Sequence, residues 1–151
     1  MSYTSESGRL QILEDAAVAA DELGVALAAL GEAYEHLDEQ SAERMEDELF
    51  RPLQAAYGQL KRTHSEFAAR YGLPSRTFAS ASPGLPADPR VLLGRVADSA
   101  QTADATLAEL QDSLLPVEVG DEPLRTGLAR VRTLIAPLPN LANRFIRTVG
   151  R

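Results

Sequence analysis

The feature that most restricts the fold is a regular repeat of apolar residues near the carboxyl end of the sequence. Its members are separated by alternating steps of four and three residues. They are Leu124, Leu128, Val131, Ile135, Leu138, Ala142, Phe145 and Val149. A helix with this spacing carries one apolar stripe and buries it against other helices. The repeat therefore predicts a helical bundle or a coiled coil.

Three other segments carry apolar residues at similar steps and can cover this stripe. We predict four helices in total, over residues 9–38, 41–71, 88–115 and 121–150. Asp88-Pro89 is a typical helix start, and Pro123 after Asp121 and Glu122 repeats it. The prediction is an all-α fold, a four-helix antiparallel bundle in one domain at 9–151, after a flexible tail at 1–8. The alternative is a pair of hairpins that complete their core only in a homodimer.

Prolines mark the expected interruptions within these helices. Pro52 lacks a backbone donor and crowds the carbonyl four residues earlier, so we expect a kink or a short break near residues 48–51. Pro137 and Pro139 should bend the last helix, but the apolar repeat keeps its phase across them. We therefore predict one proline-kinked last helix, or two helices stacked end to end.

The connection between the second and third helices, residues 72–88, is rich in Pro, Ser, Gly and Ala. These residues predict an irregular segment. Fully extended, it would span roughly 50 Å, which is enough for a full crossover along a 30-residue helix. The sequence does not choose between a turnaround and a crossover. Phe78 and Leu85 are the side chains expected to fasten this segment to the bundle.

The composition excludes several classes of function. The 151 residues include 44% hydrophobic residues, and they include no cysteine, which rules out disulfides and thiolate metal sites. A net charge of −7 argues against general nucleic-acid binding. The first residues are polar and lack a signal-peptide core, and no apolar run approaches the roughly 20 residues of a membrane span. We therefore expect a soluble, cytoplasmic protein.

The charge is distributed unevenly along the sequence. The first fifty residues hold thirteen acids and two bases, whereas six arginines and no acid follow Glu122. Arg144, Arg147 and Arg151 should form an outward basic edge on the last helix. In an up-down-up-down bundle, the acids of the first helix would lie beside this edge and neutralise it. The functional interpretation is that the edge binds an acidic partner, anionic lipid or a phosphorylated ligand.

Two glycines and one histidine are the candidates for a cavity. Gly24 and Gly31 lie seven residues apart beside the apolar stripe of the first helix. Either a neighbouring helix approaches them closely, or they leave room for a ligand near Ala100, Ala103 and the Pro137 kink. His64 lies on the apolar face of the second helix, where a hydrogen-bonded core residue is the commoner outcome and a ligand-binding residue is the alternative.

The sequence offers no constellation for catalysis or metal binding. Di-metal helical bundles use Glu-x-x-His pairs, and neither histidine lies in this motif. His36 should be exposed, and His64 has no acid nearby on its inward side. We therefore expect no catalytic residue, no metal ligand and no cofactor.

The function expected from these patterns is that of a non-enzymatic interaction or adaptor protein of unknown process. It would bind a protein partner or itself, as a homodimer, and not nucleic acid. Two alternatives remain open. One is a four-helix bundle that binds a small molecule in the cavity at Gly24, Gly31 and His64. The other is a peripheral membrane protein that uses its basic C-terminal helix.

Overall fold

The computed structural model describes residues 2–79, 81–82, 85 and 87–149. All regular secondary structure in these residues is helical, which confirms the all-α prediction. The elements are α1 (Ser2–Tyr34), α2 (Glu39–Met45), a π-helical turn (Glu46–Phe50), α3 (Arg51–Arg70), α4 (Pro89–Asp112), α5 (Leu115–Val119), α6 (Glu122–Ile135) and α7 (Leu138–Thr148).

The first helix begins earlier and ends earlier than predicted. Residues 2–8, predicted as a separate tail, are part of α1. Gly8 is buried, and a Cβ added there would lie 3.3 Å from Leu115 of α5, so tertiary contact supports these first turns. At the other end, Asp38 is not in α1, because its carboxylate caps α2 by accepting a 2.8 Å hydrogen bond from the backbone N–H of Ser41.

The interruption predicted beside Pro52 is the π-helical turn. The backbone N–H of Arg51 donates to the carbonyl of Glu46, five residues earlier. Pro52 has no N–H, and in a regular helix its ring would crowd the carbonyl of Glu48. The wider π turn relieves that crowding while the helix continues into α3.

The last helix is interrupted at the predicted prolines without a change of face. α6 ends at Ile135 and α7 begins at Leu138, and both intervening residues, Ala136 and Pro137, keep right-handed helical dihedrals. Seven of the eight residues of the predicted apolar stripe are buried, and Val149 is half-buried. The spacing of four and three therefore identified the inward face correctly.

The third helix is shorter than predicted. α4 ends at Asp112 rather than at residue 115, and Leu114 adopts a left-handed conformation with φ +69°. This reversal leads directly into α5, where Pro116 occupies an early helical position that tolerates proline. The turn brings α5 into contact with both α1 and α6.

The packing of the helices differs from the simple up-down-up-down expectation. α1 packs most extensively against α4 and also packs against α3. α6 packs against α3 and α4, and α7 packs against α4 and the π turn. Since α1 and α6 share the same two neighbours, they lie across the core from each other.

The segment between α3 and α4 runs along α1. Arg76 forms an ion pair with Asp21 of α1 at 2.9 Å, and the ring of Phe78 meets His64 edge-on at a centroid distance of 5.3 Å. Phe78 therefore fastens the connection, as predicted. The side chain of Leu85 does not, because it is 79% exposed; its backbone carbonyl accepts from Arg95 instead.

A buried carboxylate joins three parts of the chain at one end of the molecule. Asp121 is 5% exposed and accepts two hydrogen bonds from Arg70 at 2.6 and 2.9 Å and one from the Tyr71 hydroxyl at 3.0 Å. Its carboxylate also caps α6 through the backbone N–H of Leu124 at 2.8 Å. Burial alone would raise the pKa of Asp121, but the donors from Arg70, Leu124 and Tyr71 outweigh it and hold the pKa below its usual value. The guanidinium of Arg9 lies 4.2 Å from the Tyr71 ring centroid, which adds α1 to the cluster.

Replacing Asp121 with alanine should cost about 3 kcal/mol of the free energy of unfolding. The variant loses the cap of α6 and leaves Arg70 without its carboxylate. This cost is at the lower end of the range for breaking a buried ion pair, because the Arg70 side chain is one-third exposed. Urea unfolding followed by circular dichroism measures the difference. Asp98→Ala, on the exposed side of α4, is the control and should change the free energy by less than about 0.5 kcal/mol. Equal losses in the two variants would contradict this role for Asp121.

Two glycine-to-alanine substitutions should change stability in opposite directions. A Cβ at Gly127 would overlap the Thr63 side chain of α3, so Gly127→Ala should destabilise by about 1–3 kcal/mol. A Cβ at Gly31 would meet nothing within 4 Å, so Gly31→Ala should stabilise α1 by up to about 1 kcal/mol. Thermal unfolding of both variants is the measurement. A Gly127→Ala variant as stable as the wild type would refute the close approach of α3 and α6.

Candidate functional site

The arginines of α6 and α7 form an exposed basic surface. Four of them are exposed and make no hydrogen bond or ion pair with another described residue; these are Arg125, Arg130, Arg144 and Arg147, hereafter the arginine face. The remaining arginine of these helices, Arg132, bonds to Asp104 and Gln111 of α4 at 2.8 Å each. Arg151, the third member of the predicted basic edge, lies outside the described residues.

The acids of α1 do not neutralise the arginine face. The sequence interpretation placed Glu14, Asp15, Asp21 and Glu22 beside the basic edge. That expectation is wrong, because the crossover between α3 and α4 puts α1 on the opposite side of the core from α6 and α7. The acid that α1 contributes to a long-range ion pair is Asp21, and its partner is Arg76 of the connection.

The three residues predicted to share a cavity lie in different places. Gly24 borders a cavity of about 280 Å³, closed on one side by the connection; its walls are Leu27, Ala28, Tyr57, Lys61, Phe78 and Ala81. His64 borders a second cavity of about 480 Å³, walled by Leu10, Leu13, Glu14, Ala17, Val18, Asp21, Pro74 and Arg76. Gly31 borders neither cavity. The predicted single cavity is therefore divided between two sites on α1.

Gly24 and Gly31 are also not points of close backbone approach. The nearest neighbour of a Cβ at Gly24 would be the Tyr57 side chain at 3.5 Å, an ordinary contact, and Gly31 faces open space. Ala100 and Ala103 are completely buried, so they leave no room for a ligand, and Pro137 is exposed at the helix break.

His64 is a buried core residue with one unsatisfied nitrogen. It is 3% exposed, and its Nδ1 has no hydrogen-bond partner among the described residues. Burial is the main influence on the pKa of His64 and lowers it. A hydrogen bond with the backbone of Leu13 raises this pKa, and the positive charge of Arg76 lowers it. The neutral ring beside Phe78 is thus the form that fits the folded protein. The sequence placed His64 on the apolar face correctly, but its partners Phe78 and Arg76 belong to the irregular connection and carried no periodic signal.

No group of three or more histidine, aspartate or glutamate side chains among the described residues is arranged to hold a metal ion. His36 is exposed, as predicted, and lies 3.4 Å from Glu32 one turn away. In the described part of the chain, no helix is long and apolar enough to cross a membrane.

The stability of the protein should fall as the pH drops below about 6.5, because of His64. The unfolded chain takes up a proton near the ordinary pKa of histidine, whereas the folded state resists protonation until a lower pH. Urea unfolding at pH 7.5, 6.5 and 5.5 measures this loss, which His64→Leu should reduce. The control is His36→Gln, which removes the exposed histidine and should retain the wild-type pH dependence. A pH dependence that survives in His64→Leu would disprove the assignment.

Comparison with known proteins identifies no relative. No protein-family model matches the chain, and neither a curated protein nor a solved structure matches it.

Proposed function

We propose that the protein is a non-enzymatic interaction module that binds an acidic protein surface through the arginine face. The observation that carries this proposal is the placement of four exposed arginines without ion pairs across the core from the acidic α1. Guanidinium groups bind carboxylates through paired hydrogen bonds, and arginine is enriched at protein interfaces. Ala129, Ala136 and Pro137, also exposed on these helices, add small apolar surface between the arginines.

The proposed scaffold for this surface is a four-helix antiparallel bundle, with α6 and α7 as one proline-kinked helix. Contacts between α1 and α3 support an antiparallel orientation of these two helices. Arg9, near the start of α1, contacts Tyr71 at the end of α3, whereas Gly24, later in α1, lies beside Tyr57, earlier in α3. Contacts between α3 and α6 also support an antiparallel orientation. Arg70 at the end of α3 binds Asp121 just before α6, and Thr63, earlier in α3, lies beside Gly127, later along α6. Burial of α7 residues in phase with α6 supports treating the two segments as one element.

The arginine face supports a stronger proposal than the cavities do. The cavities at Gly24 and His64 are bordered by the irregular connection, and the charged pair Arg76 and Asp21 in the second is already satisfied. The arginines have no such internal partner. An acidic protein surface would provide the carboxylates that these four arginines lack within the described residues.

Charge reversal of two arginines should abolish partner binding. We expect Arg144→Glu/Arg147→Glu to lose at least tenfold of the wild-type capture of its partner in quantitative affinity purification from the source cells, because each guanidinium–carboxylate contact becomes a repulsion. The matched control is Arg62→Glu/Arg90→Glu, which makes the same change in net charge at exposed arginines of α3 and α4. It should retain the partner.

Two results would contradict the proposal. One is equal capture by wild type and both double variants. The other is binding to vesicles of anionic lipid that depends on Arg144 and Arg147 and fades with salt, which would favour the peripheral membrane alternative.

A further inference from the structure

The outer surface of α1 carries apolar and acidic side chains in alternation. Leu10, Val18 and Val25 are 47%, 43% and 38% exposed, and Glu14 and Asp21 lie between them. We call these five residues the α1 outer row. α3 and α4 pack on the flanks of α1, and Pro74 and Arg76 of the connection lie beside the row, which leaves Leu10, Val18 and Val25 exposed.

The two outward faces have opposite charge. Over its length α1 contains six acids and only one base, Arg9, and the guanidinium of Arg9 lies over the Tyr71 ring. α6 and α7 together contain five arginines and one acid, Glu122. These helices lie across the core from each other, so an excess of acids on α1 and an excess of arginines on α6 and α7 are on opposite sides of the core.

We propose that the arginine face binds the α1 outer row of a second copy of this chain. This inference rests on the proposed function and names its partner. Glu14 has no partner among the described residues and would accept from an arginine of the second copy. Asp21, which already accepts from Arg76, adds attraction. Leu10, Val18 and Val25 would be covered by the small apolar residues Ala129, Ala136 and Pro137.

The geometry determines the kind of assembly. A closed two-fold dimer needs both halves of its contact on one patch of each molecule. Here the two halves lie on opposite sides, so the contact joins copies head to tail and leaves a free face at each end. Association therefore continues beyond the dimer, to a ring or an open chain, and it is sensitive to salt because both faces are exposed.

Light scattering and sedimentation of the full chain test this assembly. At low ionic strength, about 0.02 M, the weight-average mass should rise from 16.3 kDa with concentration and pass beyond the dimer. At about 0.5 M salt it should return to the monomer value. A monomer at every concentration in low salt would overturn the inference, as would a mass that stops at the dimer or an assembly that resists salt.

Two charge-reversal variants test which faces meet. Arg144→Glu/Arg147→Glu removes the net positive charge of the arginine face, because two glutamates offset Arg125 and Arg130, and Glu14→Arg/Val18→Arg makes the α1 outer row basic. Each variant alone should remain monomeric at low salt. Their equimolar mixture should associate, because the intact arginine face of one variant then meets the intact outer row of the other. The control Arg62→Glu/Arg90→Glu should associate like wild type. Association of either reversed variant alone, or no association in the mixture, would refute the contact; circular dichroism confirms that each variant is folded.

The experiment distinguishes the failure of this inference from that of the proposed function. If the pure protein stays monomeric but cellular capture depends on Arg144 and Arg147, the arginine face binds a different acidic protein and only the second copy is excluded. If neither association nor capture depends on these arginines, the proposed function fails as well.

Discussion

The wide buried face of α1 is the constraint on which the arrangement of the other helices depends. Buried positions of α1 extend over roughly two thirds of its circumference at 100° per residue. Many are alanines, including Ala16, Ala19, Ala26 and Ala33, which are completely buried. A helix with so broad an apolar face needs neighbours on both flanks, and the small side chains allow those neighbours to pack closely. α4 and α3 occupy these flanks.

Placing both α3 and α4 beside α1 fixes the path of the connection. The chain leaves α3 at the end where Asp121 binds Arg70, and it returns along α1 through Arg76 and Phe78 to begin α4. The last helix then fills the remaining side of the core, between α3 and α4. The Asp121 cluster holds the start of the last helix against the end of α3, since one buried carboxylate caps α6 and also binds Arg70.

The sequence predicted the features that depend on local spacing and missed those that depend on which helices are neighbours. The apolar stripe from Leu124 to Phe145, the helix start at Asp88-Pro89 and the interruption beside Pro52 are local properties, and the structure has them where predicted. For the candidate site, the exposure of Arg144 and Arg147 followed from helical phase, whereas their distance from the acids of α1 required the tertiary path.

The consequence of that path is electrostatic. In an up-down-up-down order, the acidic first helix and the basic last helix would be neighbours, and their charges would be satisfied within one molecule. The crossover places α1 across the core from α6 and α7, so the acids of the first helix and the arginines of the last helix stay apart within one molecule. Exposed charges in water lose little by remaining unpaired, so folding alone tolerates this separation. In the proposed assembly the separation acquires an energetic effect, because the arginine face of one molecule can meet the α1 outer row of another, whereas the two faces of one molecule cannot meet.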